Sequence, residues 1–105
     1  MLKGKVAIVT GSTSGIGLGI ARALAAEGAS LVINGLGDPA AIEQLRAGLS
    51  AEFGVSVALS DADMSKPEQV RGMVRQAVET FGGVDILVNN AGIQHTARLE
   101  EFPEE

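Results

Sequence analysis

The sequence contains no cysteine, tryptophan or tyrosine, and its only aromatic residues are three phenylalanines. Without cysteine, disulfides and thiolate metal sites are excluded, and a reducing compartment such as the cytoplasm is expected. The absence of a lysine and arginine cluster argues against a nucleic-acid surface. The apolar run Val6–Val9 is too short for a signal peptide or a membrane span. We therefore predict a soluble cytoplasmic protein that binds no metal, membrane or nucleic acid.

The composition is otherwise that of one globular domain. The chain has 105 residues, of which 46% are hydrophobic, and this is enough for a modest core. Its net charge of −5 is concentrated at the C-terminal end. Four of the thirteen acidic residues lie there, namely Glu100, Glu101, Glu104 and Glu105. The bulk of the chain is therefore nearly neutral.

Short apolar runs alternate with longer amphipathic segments. Runs without in/out alternation are typical of strands buried on both faces of a parallel sheet. The pattern predicts βαβαβαβ, the N-terminal half of a Rossmann-type doubly wound α/β fold, with strand order 3-2-1-4. Ligands then bind beyond the strand ends, at the switch point between the first and fourth strands. The predicted strands are Val6–Val9, Ser30–Ile33, Val55–Leu59 and Val84–Val88, and the predicted helices begin near Gly15, Asp38 and Ser65.

Capping residues and apolar stripes define the three helices. Asp38 followed by proline predicts an N-cap, and Ser65 with Glu68 three residues later predicts a capping box. Glycines at 28 and at 82–83 are expected to end the first and third helices. The residues expected to face the core are Ile16, Ile20 and Leu24 in the first helix, Ile42, Leu45 and Leu49 in the second, and Val70, Val74, Ala77, Val78 and Phe81 in the third.

A glycine-rich segment, TGSTSGIG, follows the first predicted strand. Gly11 permits a tight turn, Gly15 lets a phosphate approach the backbone, and Gly17 lets the helix pack closely on the sheet. The helix N-terminus favours an anion, and the hydroxyls of residues 12–14 add hydrogen-bond donors. The alternative is a glycine-rich turn without a ligand, but the strand–loop–helix context favours nucleotide binding.

A second motif, NNAGIQH, follows the fourth predicted strand. Together with the spacing GxxxGxG, the tetrapeptide NNAG resembles the short-chain dehydrogenase/reductase family over Lys5 to the end of the chain. The resemblance implies a nicotinamide dinucleotide cofactor and assigns a structural role to Asn89. The cofactor contacts that it implies are Gly11, Thr13, Ser14, Gly15, Ile16, Gly17, Gly35, Leu36, Asp63, Met64, Asn90, Ala91 and Gly92.

The segment INGLGD, at the end of the second strand, bears on the choice of cofactor. An NAD site usually carries an acid there to hold the ribose 2′-hydroxyl, and here Asn34, Gly35 and Leu36 take its place. An NADP site needs a nearby cation for the 2′-phosphate, and neither this segment nor the glycine loop offers one. Asp38 would repel that phosphate. We therefore predict NAD, with NADP less favoured.

Asp63 and Met64 follow the third strand. In the family, an acid here accepts a hydrogen bond from the adenine amine, and the backbone of the next residue meets the ring. The alternative is that Asp63 only caps a turn before Ser65. Both interpretations are open at this point.

GIQH and the later EEFP resemble the D-3-hydroxybutyrate dehydrogenase subfamily, although Arg98 stands where proline is expected. The resemblance implies that Gln94 binds the substrate carboxylate, and an amide is a suitable donor for one. His95 could suggest acid/base chemistry, but we expect it to pack or hydrogen-bond within its loop. The predicted reaction is hydride transfer between 3-hydroxybutyrate and NAD, giving acetoacetate.

The family's catalytic Ser, Tyr and Lys, arranged as S…YxxxK, do not occur in this sequence, which has no tyrosine. We therefore expect residues 1–105 to be the N-terminal, cofactor-binding half of a single domain. Alone, this half should be inactive and poorly stable, with an exposed sheet edge. The resemblance implies a homotetramer for the full-length enzyme. The alternatives are another short-chain reductase, such as a 3-oxoacyl carrier protein reductase, and a non-catalytic nucleotide-binding module.

Overall fold

Four parallel strands form one sheet in the order β3-β2-β1-β4 in a computed structural model that describes residues 1–35 and 37–90. The elements alternate strictly, so each strand is connected to the next by a helix. This confirms the predicted α/β class, the element order and the strand order. The elements are β1 (Val6–Val9), α1 (Gly15–Ala26), β2 (Ser30–Asn34), α2 (Pro39–Phe53), β3 (Val57–Ser60), α3 (Pro67–Phe81) and β4 (Ile86–Val88).

Strand β1 lies between β2 and β4 in the sheet. Its last residue, Val9, pairs with Ile33 of β2 on one side and with Val88 of β4 on the other. Because all pairs are parallel, the C-terminal ends of these strands meet at one edge. The chain leaves β1 between β2 and β4, which is the switch point predicted from the sequence. The glycine loop and the segment beginning at Asn89 are therefore neighbours.

Two apolar clusters cover the two faces of the sheet. Alternate residues of β1 and β2 point to opposite faces, as the pleat of a strand requires. One cluster packs α1 and α2 against the sheet, and the other packs α3 against it. The buried members of the first are Ala7, Val9, Ala21, Ala25, Leu31, Ile33, Leu49 and Val57, and those of the second are Ile8, Val32, Ala62, Met73 and Ala77.

The buried stripe of α1 differs from the expected one. Ile16 is 71% exposed, and the stripe that faces the sheet is Gly17, Ala21 and Ala25. Ile20 and Leu24 pack only at the margin of the core. The prediction favoured the largest apolar side chains, but a helix that crosses closely over a sheet needs small residues at the point of approach.

Two large apolar side chains, one on α3 and one on β4, are exposed. Val78, predicted to face inward, is 45% exposed, whereas Met73, which the prediction omitted, is buried. Leu87 of β4 is 57% exposed. The stripe of α2 is confirmed in part: Leu49 is buried and Leu45 packs against the first cluster, whereas Ile42 is half-buried.

The helix caps were predicted in part. The Asp38 carboxylate accepts a hydrogen bond from the Ala41 N–H at 3.2 Å, which confirms this N-cap. The capping box at Ser65 is wrong, because Lys66 is the N-cap of α3 and Pro67 is its first residue. Proline suits the first helical position, where its missing N–H costs nothing. Glycines in the left-handed region follow α2 and α3, at positions 54 and 82.

Strand boundaries also shifted, with β2 ending one residue later than predicted and β3 and β4 each starting two residues later.

Within residues 1–35 and 37–90, no helix is long and apolar enough to cross a membrane. The same residues contain no group of three potential metal ligands.

Candidate active site at the carboxyl edge of the sheet

The three glycines of the loop after β1 have separate structural roles. Gly11 and Gly15 have φ angles of +59° and +60°, a region that other residues rarely adopt. A side chain at Gly15 would meet no atom within 4 Å, so this part of the backbone faces open space. At Gly17 a Cβ would overlap the Gly11 carbonyl oxygen and come within 2.5 Å of the Asn90 Nδ2. The loop is therefore closed on its inner side and accessible at Gly15.

The N-terminus of α1 is open to an anion. Ser14 is the N-cap residue, but its side chain makes no capping hydrogen bond, and the first turn contains no acidic residue. The first N–H groups of a helix have no acceptor within the helix, and the helix dipole adds positive potential at this end. These groups, beside the accessible backbone of Gly15, fit a pyrophosphate. The sequence prediction for Ser14, Gly15, Ile16 and Gly17 is consistent with this placement.

Ser12 is not a ligand donor, contrary to the sequence interpretation. Its side chain is fully buried, and its hydroxyl donates to the Val9 carbonyl oxygen at 2.6 Å and accepts from the Asn34 N–H at 2.9 Å. Thr13 packs against the backbone just after β2, since a Cβ at Gly35 would overlap its Oγ1 and lie 2.7 Å from its Cγ2. Gly35 is thus needed for loop packing as well as for any cofactor contact.

Asn34, the last residue of β2, connects three segments of the site edge. Its side-chain oxygen accepts from the Gly11 N–H at 3.1 Å. Its amide nitrogen donates to the carbonyl oxygens of Ser60 at 3.2 Å and Ala62 at 3.1 Å. Sequence reasoning treated this position only as the place of a missing acid. A polar residue that follows three buried apolar residues at the end of a strand was the signal that could have identified it, because buried polar groups need partners.

A cleft of about 450 Å³ lies between the ends of β2 and β3 and the start of α2. Its lining combines apolar and polar side chains, which suits a nucleoside. Its lining among the described residues includes an acid and no lysine or arginine. The lining residues are Gly35, Gly37, Pro39, Ile42, Leu59, Ser60 and Asp61.

Asp63 is engaged in a turn beside this cleft. Its carboxylate accepts hydrogen bonds from the Ser65 hydroxyl at 2.7 Å and the Ser65 N–H at 2.9 Å. These bonds, with a smaller contribution from Lys66, hold the pKa of Asp63 below its usual value. This is the turn-capping alternative considered from the sequence, and the adenine role of Asp63 stays a prediction. The Met64 side chain packs against the α3 side of the core.

Asn90 follows β4 and is almost fully buried. Its amide nitrogen donates to the Gly11 carbonyl oxygen at 3.0 Å. One residue earlier, the Asn89 side-chain oxygen lies 3.3 Å from the Thr10 hydroxyl, which also lies 3.3 Å from the Val88 carbonyl oxygen. Both asparagines therefore connect β4 to the glycine loop, whereas the sequence analysis gave that role to Asn89 alone. The predicted sites Leu36, Ala91, Gly92, Gln94 and His95 lie outside the described residues.

Comparisons with known proteins agree with this architecture. The family model for short chain dehydrogenase matches residues 5–105. A D-beta-hydroxybutyrate dehydrogenase from Cupriavidus necator is 57% identical over 105 residues, which are all of this chain and 40% of that protein. Another from Rhizobium meliloti is 46% identical over 101 residues, covering 96% of this chain and 39% of that protein.

Among solved structures, L-sorbose reductase from Gluconobacter frateurii, complexed with NADPH and L-sorbose, superposes with a TM-score of 0.76 at 41% identity. The superposition covers 82% of this chain and 32% of the reductase. The chain thus spans about 40% of the length of the dehydrogenases that it matches.

Proposed function

Because the chain belongs to the short-chain dehydrogenase family, we propose that it forms the cofactor-binding part of an enzyme that transfers hydride between D-3-hydroxybutyrate and NAD. The observation that carries this proposal is the 57% identity to a D-beta-hydroxybutyrate dehydrogenase over all 105 residues. The open N-terminus of α1 and the adjacent cleft support the dinucleotide part of the proposal.

The dinucleotide would lie along the carboxyl edge of the sheet. Its pyrophosphate would bind the N–H groups of the first turn of α1, at Gly15, Ile16 and Gly17, with Ser14 and Thr13 beside it. Its adenosine would occupy the cleft at Gly35 and Asp61. The nicotinamide, when bound, supplies the hydride acceptor for alcohol oxidation, and it would extend toward the segment that begins at Asn90.

The charge of the cleft favours NAD over NADP. Asp61 lines the cleft, and Asp38 occupies the N-terminus of α2, where a 2′-phosphate could otherwise find helix N–H groups. A phosphate there would meet two carboxylates and no cation from the described lining, and like charges at short range disfavour binding. A ribose hydroxyl has no such conflict, because a carboxylate can accept its hydrogen bond.

The substrate would be held by Gln94, whose amide can donate to a small carboxylate without adding charge beside the path of the hydride. Residues 1–105 contain no tyrosine. We therefore assign them the binding of cofactor and substrate, and we assign proton transfer to a family-type tyrosine and lysine elsewhere in the complete enzyme. We expect the isolated 105-residue chain to have no dehydrogenase activity.

The test uses the complete gene product, purified and assayed for NADH formation. We expect oxidation of D-3-hydroxybutyrate with NAD, at least about a hundredfold preference over the L enantiomer, and acetoacetate as the product; a difference of that size corresponds to roughly 3 kcal/mol. Gln94→Ala should raise KM for the acid far more than it lowers kcat. Preference for long acyl thioesters over short hydroxy acids would refute the proposed substrate.

A second candidate is an NADPH-dependent sugar reductase. The observation that favours it is the structural match to L-sorbose reductase, which was solved with NADPH. A binding titration with both cofactors separates the two functions, because tighter binding of NADPH would support the reductase.

Light scattering on the same preparation tests the proposed homotetramer.

A further inference from the structure

We infer that Asn34 is a positioning residue that sets the glycine loop in register with the adenosine cleft, so that one dinucleotide can occupy both. The inference rests on the proposed dinucleotide function. The residue is notable because it ends the second strand, the region where dinucleotide sites that take NAD commonly carry an acid for the ribose. Here the amide points into the protein and is 3% exposed.

The hydrogen bonds of the amide use both of its donors and one of the two lone pairs of its oxygen. The oxygen accepts from Gly11 N–H in the loop, and the two N–H bonds of the nitrogen are directed to the carbonyl oxygens of Ser60 and Ala62. Ser60 lines the cleft and Gly11 begins the loop that leads to the N-terminus of α1. One side chain therefore joins the two halves of the proposed cofactor site.

The surrounding backbone reinforces this joint. The Ser12 N–H donates to the Asn34 carbonyl oxygen at 2.7 Å, and the Asn34 N–H donates to the Ser12 hydroxyl at 2.9 Å. Immediately after Asn34, the absence of a side chain at Gly35 leaves space for Thr13. The glycine loop thus rests on the end of β2 at three successive residues, 11 to 13.

An aspartate at position 34 could not make the same hydrogen bonds as the asparagine. An aspartate at position 34 has an acceptor for Gly11 N–H but no donor at the usual pH. Its second oxygen would face the carbonyl oxygens of Ser60 and Ala62, which would lose their partners in a buried place. Asn34→Asp should therefore weaken NAD binding, although it adds an acid in the region where NAD sites usually carry one.

The experiment compares NAD, ADP and adenosine as ligands of the complete gene product and its variants, by isothermal titration calorimetry. ADP reaches both the loop and the cleft, whereas adenosine needs only the cleft. For Asn34→Asp and Asn34→Ala we expect Kd for NAD and ADP to rise by roughly tenfold to a hundredfold. The Kd for adenosine should rise by less than about threefold. The kcat at saturating NAD should stay within about twofold, because the bond between the Asn34 side chain and the glycine loop is remote from the reacting atoms.

Leu49→Ala is the control for lost stability. Leu49 lies on the buried face of α2 and is not a lining residue of the cleft, so its truncation should lower the melting temperature without changing Kd for ADP. Ser12→Ala gives a second test if the Asn34 variants do not fold, because it removes the hydroxyl that accepts from the Asn34 N–H and changes no lining residue of the cleft; it should also weaken ADP more than adenosine.

Two results would overturn the inference. One is NAD binding by Asn34→Asp that equals or exceeds that of the wild type. The other is an equal loss of affinity for ADP and adenosine, which would indicate a general structural role. Failure of the wild-type protein to bind NAD or ADP is a different outcome, and it would refute the proposed function itself.

Discussion

The side chain of Asn90 donates a 3.0 Å hydrogen bond to the backbone carbonyl oxygen of Gly11, across 79 positions of sequence. The bond joins the segment after β4 to the loop after β1. Both backbone polar groups of Gly11 are bonded to asparagine side chains, since its N–H donates to the side-chain oxygen of Asn34. The glycine loop is therefore positioned by two asparagines, one at the end of β2 and one shortly after β4, the two strands that flank β1.

Asn90→Ala should destabilise the protein by about 1–3 kcal/mol, because it leaves the partly buried Gly11 carbonyl without its side-chain partner. Gln76→Ala is the matched control. Gln76 also donates an amide hydrogen bond to a carbonyl oxygen, that of Leu59, but at an exposed site, so its loss should stay within about 0.5 kcal/mol. Urea denaturation measures both, and equal effects would contradict the assigned role of Asn90.

Gly17→Ala should be poorly tolerated although alanine favours helices. Its Cβ would overlap the Gly11 carbonyl oxygen, and overpacking of this kind costs about 1–3 kcal/mol or more. The helix would have to move from the loop, so cofactor affinity should fall too. Gly19→Ala, two residues on in the same helix with no atom within 4 Å, should instead gain about 0.5–1 kcal/mol. Thermal melts that rank the variants the other way would disprove the close approach.

Asp61→Arg should shift cofactor preference toward NADP. The substitution replaces a carboxylate of the cleft with a guanidinium, which can pair with a 2′-phosphate. We expect 2′,5′-ADP to bind on the order of tenfold more tightly than to the wild type, since hydrogen bonds to charged groups contribute about 1.5–3 kcal/mol. Glu79→Arg changes the net charge equally at an exposed position of α3, and it should have little effect. The same gain in both variants would mean that only net charge matters.

Ser65→Ala should raise the pKa of Asp63 toward its usual value, because the largest cause of its lowered pKa is the Ser65 hydroxyl. The rise should be incomplete, since the Ser65 N–H and Lys66 remain. The stabilisation linked to this carboxylate is present above its unfolded-state pKa and is lost as the pH falls through the lower folded-state value. Carboxyl NMR titration measures the shift, and Ser65→Thr, which keeps the hydroxyl, should leave the pKa of Asp63 low.

The hydrophobic periodicity of the sequence, with the residues that begin and end helices, was sufficient to predict the architecture. Four apolar runs separated by capped helices predicted the element order, the parallel sheet and the switch point, because these depend on local patterns and on the handedness of crossovers. The structural roles of the loop glycines were predictable for the same reason, since the turn from a strand into a helix is a local feature that requires glycine. The cap at Asp38 is equally local, and it was confirmed.

What failed depended on partners that are distant in sequence. Ser12 was assigned outward and is buried, and Asn34 was noted only for the acid it replaces, because their hydrogen-bond partners lie in other segments. Ile16 was assigned to the core, yet close approach of α1 to the sheet selects Gly17 and two alanines. The sequence by itself determined the fold and the location of the candidate site. Only the tertiary structure decided which polar groups face a ligand, because burial and pairing are set by the segments brought together at the sheet edge.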